Sequence, residues 1–208
     1  MRTTPTCPRC GGPVHEPSAW SSAWQCGLHG AVHPVRTSSV SSAERLSGLA
    51  RGAVVPVWLP WPIPAGWLVT GFARAGDGRS GTRGCAVALS GPNPVGGPGE
   101  MLVIAEEPGV GLGARFAGLD GPDPGDDVAA GCPDALVRFN HHEFPLWHVQ
   151  VPERAAFVGE AMGSWLWLIL WPATAGVLLA EHLELLDLRD PGVRLDLPFG
   201  APSPLLPG

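Results

Sequence analysis

Short apolar runs separated by polar, Gly-rich or Pro-rich turns recur along the chain. Apolar runs of about four to eight residues between turn signals are typical of buried β-strands. No helical pattern of roughly 10 to 15 residues lies between such runs, so the alternation of a parallel βαβ sheet is absent. The pattern therefore predicts the α+β class, with a mainly antiparallel sheet and few short helices. The predicted strands are 66–75, 84–90, 101–107, 146–151, 165–171, 177–188 and 193–197.

Two segments are predicted to be short helices. Ser41 and Glu44 have the spacing of a capping box at a helix start, and Gly52 can end that helix. A helix this short is not stable alone, so we expect it to dock on the body or to fray. The second predicted helix is 153–162.

Proline shapes two further segments. Residues 54–64 contain four Pro within nine residues, which forbid a helix and favour an extended strip. Residues 161–180 carry no charge and have the nominal length of a bilayer span. Pro172 and Gly176 interrupt that stretch, so a buried strand and a turn are predicted there instead of a transmembrane helix.

Composition raises the question of disorder and then answers it. Gly (29) and Pro (24) make up about a quarter of the 208 residues. The hydrophobic share of 45% and the 9 Trp argue for a folded chain, because such apolar surface offsets the entropy of ordering. Trp165, Trp167 and Trp171 share one face of their predicted strand. We expect them to pack against the Pro-rich strip, with an aromatic ligand groove as the alternative.

Charge and cysteine content limit which classes of partner are expected and what role the cysteines play. Residues 1–53 hold five Arg and two Glu, whereas residues 54–208 hold eight Arg and 17 Asp or Glu, for a net charge of −6. The acidic part would repel a phosphate backbone, so nucleic acid is not an expected partner. Without an apolar signal-peptide region in the first ten residues, we expect a cytoplasmic protein and no membrane partner. The five Cys then fit metal ligands or free thiols better than disulfides.

The strongest chemical signal is a Cys/His motif near the N-terminus. Cys7 and Cys10 form a C-x2-C pair, and Cys26 and His29 form a C-x2-H pair after fifteen intervening residues. Four such ligands can surround one zinc ion as a tetrahedron and leave no open position, so we predict a structural zinc site. The alternatives are His33 as the fourth ligand, or a redox pair formed by the first two cysteines.

This motif sets the predicted domain organisation. We expect a zinc-ribbon-like module over 1–34, a linker with a short helix over 35–53, and an α+β body over 54–208. A module of about 30 residues has little apolar material, so Trp20 and Trp24 are expected to supply its core.

A Gly-rich stretch that follows a predicted strand is the second candidate site. Its backbone N–H groups and a nearby cation could bind a carboxylate or a phosphate. The spacing matches neither a dinucleotide fingerprint nor a P-loop, and the chain has no Lys. A tight turn packed closely on the sheet is the expected interpretation, and ligand binding is the alternative. The candidate ligand-binding residues are Glu106, Glu107, Gly109, Gly111, Gly113 and Arg115.

Other polar residues have weaker patterns. His141, His142 and Glu143, with His148 further on, have no helix to bring them together, so a solvated loop is expected there and not a second metal site. His148 follows apolar residues and is expected to be a hydrogen-bonded core histidine. Asp123 lies among Gly and Pro, where an acidic side chain usually shapes a turn.

Eight motifs carry a family resemblance. They are CPRCGG (7–12), CGLHG (26–30), VPVWLPWPIPAGWLVTG (55–71), LSGPNPVGGPGE (89–100), AEEPGVGLGARFAGLDGPDPG (105–125), PLWHV (145–149), FVGEAMGSWLWLILWPATAG (157–176) and LLDLRDPG (185–192). With these motifs the chain resembles an uncharacterised family of actinobacterial proteins of unknown function. The resemblance covers most of the chain, except 126–144. It implies a zinc-ribbon-like head on a body of no assigned activity.

The closed metal site and the lack of a recognisable catalytic constellation favour a non-enzymatic binding or regulatory protein. Its expected partner is another protein or a small molecule of unknown identity. The alternative is a small-molecule or anion sensor, or an enzyme, that uses the Gly-rich loop 109–118.

Overall fold

The computed structural model describes residues 4–38, 41–126, 128–180, 183–190, 192 and 196–206. Over these residues the chain forms two β-sheets, two α-helices and one 3-10 helix. The small sheet consists of β1 (Val14–His15), β2 (Trp24–Cys26) and β3 (Gly30–Val32). The helices are α1 (Ala43–Gly52), α2 (Leu112–Ala117) and the 3-10 helix Ala173–Leu179.

Ten strands form the large sheet. They are β4 (Val35–Ser38), β5 (Trp58–Pro60), β6 (Leu68–Asp77), β7 (Gly81–Pro92), β8 (Pro98–Glu106), β9 (Ala135–Phe139), β10 (His142–Val149), β11 (Ala155–Ala161), β12 (Ser164–Trp171) and β13 (Leu183–Asp187). Their spatial order is β4-β6-β7-β8-β12-β11-β10-β9-β13-β5. The described neighbours are antiparallel except β9 and β13, which are parallel. The predicted α+β class with a mainly antiparallel sheet is confirmed.

The large sheet has an apolar core on each face. Strand β12 contributes to both, because successive side chains of a strand point to opposite faces. Leu168 lies in the first core together with Trp58 and Trp67. Trp167 and Ile169 lie in the second core, which also contains the buried apolar side chains of α2. Apolar side chains cover both faces of β12, which explains why its sequence is almost continuously hydrophobic.

This division corrects one prediction. Trp165, Trp167 and Trp171 do share a face, but they do not pack against the Pro-rich strip. They lie in or against the second core, whereas Trp58 and the apolar residues around it lie in the first core. The strand pattern predicts that the three Trp share a face; which segment covers that face depends on the path of the chain.

Helix α1 confirms the first predicted helix. Its N-cap is Ser42 and not the predicted Ser41, and Ser42 Oγ accepts a hydrogen bond from Arg45 N at 3.4 Å. Leu46 and Leu49 are buried in the first core, so the helix docks on the body. At 10 residues it is the longest helix in the described part of the chain, where no helix is long and apolar enough to cross a membrane.

The second predicted helix, 153–162, is wrong. Strand β11 occupies this range and pairs with β12 along its whole length. Met162 and Gly163 connect the two strands with positive φ angles of 54° and 72°, as a tight hairpin turn requires. Pairing with a buried neighbour strand outweighs the weak helical preference of the segment.

Three other ranges differ from their predictions. The range 177–188 divides into the end of the 3-10 helix and strand β13. The first residues of the predicted linker, 35–38, form β4, which pairs with β6. Of the predicted strand 193–197, residues 193–195 lie outside the described residues, and 196–197 are not in a strand.

The head, residues 4–34, joins the edge of the large sheet. Strand β4 follows it directly, and Gly76 N on β6 donates a hydrogen bond to Pro34 O at 3.0 Å. The pKa of Asp77 is lowered mainly by the backbone N–H of Ser80 and also by a hydrogen bond from the side chain of Trp24. Trp24 is buried as predicted, but Trp20 is 96% exposed and does not contribute to a core.

Candidate metal centre and the adjoining Gly-rich segment

The first predicted ligand pair lies in a tight turn. Gly11 N donates a hydrogen bond to Cys7 O, and Cys7 N donates to Gly12 O, both at 2.8 Å. Gly11 has a φ of +72°, which glycine adopts without steric strain. The turn brings the thiols of Cys7 and Cys10 to one centre.

The second pair lies where the small sheet turns. Cys26 is the last residue of β2, and His29 precedes Gly30, the first residue of β3. Cys26 pairs with Val14 on β1 and with Gly30 on β3. The three-stranded sheet therefore fixes the second pair opposite the first.

The four predicted ligands converge. The Sγ atoms of Cys7, Cys10 and Cys26 and His29 Nδ1 lie within 4.8 Å of one another. Cys10 Sγ lies 3.7 Å from Cys26 Sγ, and His29 Nδ1 lies 3.5 Å from Cys7 Sγ and 3.6 Å from Cys26 Sγ. Around a tetrahedral zinc ion, bond lengths near 2.3 Å to sulfur and 2.1 Å to nitrogen give S–S and S–N separations of about 3.8 and 3.6 Å. The observed separations fit this geometry, and the group does not include His33.

The protonation of the thiols depends on their surroundings. Burial raises the pKa of Cys7 from 9.0 to about 11. The backbone N–H of Leu28 is the main cause that lowers the pKa of Cys26 to about 6. Three sulfurs this close cannot all ionise without a cation, because like charges in contact repel. A metal dication would allow all three to bind as thiolates.

The Gly-rich segment, residues 109–118, adjoins this cluster, and its N–H groups bind a carboxylate of the same chain. Glu106, the last residue of β8, is 0% exposed. Its Oε2 accepts a hydrogen bond from Leu112 N at 2.6 Å, and its Oε1 accepts one from Gly113 N at 2.8 Å. Burial raises the pKa of Glu106 from 4.5 to about 7, although the two N–H groups oppose this shift. An external anion would have to displace Glu106 from these donors.

Close packing explains the glycines of this segment. A Cβ added at Gly113 would lie 2.2 Å from Trp167 Cδ1, so only glycine lets the helix rest on the indole. Gly111 has a φ of +88°, and a Cβ there would lie 2.8 Å from Arg9 Cγ. These contacts are those of a tight turn packed on the sheet, as expected for this segment.

The head and the Gly-rich segment are in direct contact. Arg9, between the first two cysteines, donates from Nη2 to Gly109 O at 2.6 Å. The guanidinium of Arg115 packs against Gly11, where an added Cβ would lie 2.7 Å from its Nη2. Burial lowers the pKa of Arg115, whereas Cys10 and Cys7 raise it. The two candidate sites that the sequence suggested separately are therefore in contact. We call the contacts of Arg9 with Gly109 and of Gly11 with Arg115 the joint.

Comparison with known proteins adds a family. A family model described as "Family of unknown function (DUF6758)" matches residues 1–206. The chain belongs to DUF6758. This confirms the resemblance to a family of unknown function that covers nearly the whole chain. No curated protein and no solved structure matches the chain. DUF6758 membership therefore adds no activity to what the residues show.

The remaining predicted residues of this DUF6758 protein have structural partners. Glu107 Oε1 accepts a hydrogen bond at 2.7 Å from Nη1 of Arg83, which lies on β7. Glu107 lies just beyond the end of β8 and does not join Glu106, because its carboxylate pairs with Arg83 instead. Gly109 N donates to Asp123 Oδ1 at 2.7 Å.

The histidines near the middle of the DUF6758 chain do not converge. His141 lies in the turn between β9 and β10 with a φ of 66°, and Glu143 pairs with Arg138 at 2.7 Å. His148 Nδ1 is 2.9 Å from the side-chain amide of Gln150. Among the described residues, the one group of four potential metal ligands is the Cys/His cluster of the head.

Two contacts of the joint escaped the sequence analysis. Arg9 lies between the first two cysteines in the chain, but its side chain reaches Gly109. Asp123 Oδ1 accepts hydrogen bonds from both Gly109 N and Trp165 Nε1 and so ties the segment to β12. The available signal was Asp123 itself, an acidic residue that follows the Gly-rich segment closely in the chain.

Proposed function

We propose that this protein is a zinc-stabilised, non-enzymatic binding module of the cytoplasm. The observation that carries the proposal is the Cys3His cluster, whose ligand atoms lie within 4.8 Å of one another, with three separations of 3.5–3.7 Å that fit a tetrahedral zinc site. Four protein ligands complete the shell, so the ion would be structural. Reduced cysteine ligands suit a reducing compartment.

Cys7, Cys10, Cys26 and His29 would hold the ion. When bound, zinc supplies a dication that balances most of the thiolate charge and joins the two turns of the head. Three thiolates and one zinc ion leave a charge of about −1. The guanidinium of Arg115, which packs against the first turn, lies on the side of the body and complements that charge.

We further propose that the head presents its exposed apolar residues to a protein partner. Trp20 is 96% exposed and Leu28 is 82% exposed. Trp is enriched among the residues that carry binding energy at protein interfaces. An exposed Trp leaves apolar surface in contact with water, which is unfavourable until a partner covers it. The acidic charge of the body argues for a protein and against nucleic acid.

Two measurements test this function separately. Metal analysis of anaerobically purified protein is expected to find one zinc ion per chain, and protein without metal would contradict the zinc proposal. For the partner, the wild type, Trp20→Ser and Val95→Ser serve as baits in a lysate of the encoding organism. Val95 is 65% exposed at the β7–β8 turn and is the matched control. A protein retained by the wild type and Val95→Ser but lost by Trp20→Ser is expected; equal retention by all three, or none by any, contradicts the interaction.

A further inference from the structure

We propose that the Cys3His cluster is also a peroxide-sensitive thiol switch, in which Cys10 and Cys26 form a disulfide, release the zinc ion and loosen the head from the Gly-rich segment. This inference rests on the proposed zinc function. It adds a modification site and an oxidant of stated class, a hydroperoxide.

The ligands differ in exposure. Cys7 is 0% exposed and Cys26 is 5% exposed, whereas Cys10 is exposed to solvent. A small oxidant that arrives from solution therefore meets the sulfur of Cys10 first. Susceptibility of a cysteine to oxidation follows thiolate character and exposure, and a metal-bound sulfur has thiolate character.

A resolving sulfur is already in place. Cys26 Sγ lies 3.7 Å from Cys10 Sγ, so bond formation at about 2.05 Å needs a movement of less than 2 Å. The two cysteines belong to different turns of the head, Cys10 to the first and Cys26 to the end of β2. Their disulfide removes two of the four zinc ligands at once.

The chemistry balances with hydrogen peroxide as the oxidant. The Cys10 thiolate attacks one peroxide oxygen, the O–O bond breaks, and sulfenic acid and hydroxide form. The Cys26 thiolate then attacks the Cys10 sulfur, the S–S bond forms and a second hydroxide leaves. The two sulfurs lose two electrons in total, which the two peroxide oxygens gain. Only Cys7 and His29 would then remain to hold a zinc ion, and two protein ligands are too few to retain it.

Disulfide formation would also disturb the contacts between the head and the Gly-rich segment. Arg9 and Gly11 flank Cys10 in the chain and make the contacts with Gly109 and Arg115. A displacement of Cys10 toward Cys26 strains both contacts. The segment that they hold covers Glu106 and Trp167, which are both 0% exposed. Oxidation is therefore expected to raise the mobility of residues 109–118.

The test begins with anaerobically purified full-length protein whose zinc content has been measured. Hydrogen peroxide in excess is added, released zinc is followed with a chromogenic chelator, and disulfides are mapped by mass spectrometry of peptides. Cys132→Ser is the matched control, because Cys132 is exposed and lies outside the cluster. Hydrogen–deuterium exchange of residues 109–118 is measured before and after oxidation.

We expect zinc to fall from one per chain to near none, with a Cys10–Cys26 disulfide, at the same rate in the wild type and in Cys132→Ser. A thiol reductant with added zinc should restore the metal, and oxidation should speed exchange in 109–118. Retained zinc, a Cys7–Cys10 disulfide, slower release in Cys132→Ser, or unchanged exchange overturns the switch. Protein that carries no zinc before peroxide contradicts the proposed function itself, which keeps the two failures distinct.

Discussion

Two sets of converging polar groups lie side by side in this protein, and they differ in what satisfies them. In the head, three sulfurs and one ring nitrogen face each other within 4.8 Å. In the Gly-rich segment, the N–H groups of Leu112 and Gly113 face Glu106, which accepts from both. The first set consists of like electron-pair donors and needs a cation from outside the chain. The second set has its acceptor built in.

The difference shows how to separate a binding site from a structural turn. Both segments are rich in Gly, and both follow patterns that suggest a ligand. Converging groups point to an external partner when the chain itself leaves them without a complement. The Cys3His cluster meets this condition, whereas the Gly-rich segment binds its own Glu106 and rests on Trp167.

The largest effect is expected from loss of a ligand in the head. Cys26→Ser removes a sulfur that lies 3.7 Å from Cys10 Sγ and 3.6 Å from His29 Nδ1. Metal binding at structural sites is worth on the order of 10 kcal/mol, so its loss should unfold the head. Metal analysis should fall from one zinc per chain to near none. Cys132→Ser should keep its zinc. Full zinc content in Cys26→Ser would contradict the claim that the Cys3His cluster needs a metal ion.

A second effect concerns the built-in acceptor and its pH dependence. Below pH 4.5, Glu106 is protonated in the folded and the unfolded chain, and its contribution to stability is complete. Because the folded pKa is raised to about 7, that contribution is lost as the pH rises from 4.5 through 7. A pKa shift of this size corresponds to a change of about 3 kcal/mol in the free energy of unfolding. Glu106→Gln cannot titrate and should lack this loss.

Denaturant unfolding of the wild type and Glu106→Gln over this pH range measures the difference in their free energies of unfolding. Zinc ligands titrate equally in both proteins, so their contribution cancels in that difference. Parallel pH profiles would show that Glu106 does not titrate as a buried carboxylate.

A smaller effect tests how closely the Gly-rich segment packs. In Gly113→Ala the new methyl group would lie 2.2 Å from Trp167 Cδ1. Overpacking of this kind costs about 1–3 kcal/mol. Gly78→Ala is the control, because a Cβ at Gly78 meets no atom within 4 Å. Equal unfolding midpoints for the two variants would mean that the segment is loose and open to a ligand after all.

The smallest effect is expected at the edge of the joint. Trp165→Phe keeps most of the ring and removes the hydrogen bond from Nε1 to Asp123 Oδ1 at 2.9 Å. The net value of one hydrogen bond is about 1 kcal/mol. Thermal unfolding should detect this loss, whereas Trp61→Phe, at a partly exposed position, should change the midpoint less. A larger change in the unfolding midpoint for Trp61→Phe than for Trp165→Phe would mean that the hydrogen bond to Asp123 does not stabilise this region.

The sequence predicts the metal cluster because its information is local. Cys7 and Cys10 are separated by two intervening residues, as are Cys26 and His29, and such spacing fits ligands on one turn. Helix α1 is predicted for the same reason, from serines at its start and Gly52 at its end, although Ser42 and not the predicted Ser41 caps it. The alternation of β12 likewise identifies which Trp residues share a face.

The sequence does not predict which segments meet. Glu106 and the N–H groups that bind it are six and seven residues apart, but their contact depends on how α2 folds back over β8. Arg9 and Gly109 are 100 residues apart, so only the assembled sheet brings them together. Strand β11 was missed because its partner β12, and not its own composition, makes it a strand.

X-ray absorption at the zinc edge of anaerobically purified protein tests the central claim most directly. Three sulfur ligands at about 2.3 Å and one nitrogen ligand at about 2.0–2.1 Å are expected, from Cys7, Cys10, Cys26 and His29. The same spectrum is expected in the presence of phosphate, because the Gly-rich segment already binds Glu106 and does not open the site. A shell of oxygen and nitrogen ligands alone, or protein without zinc, would contradict the claim.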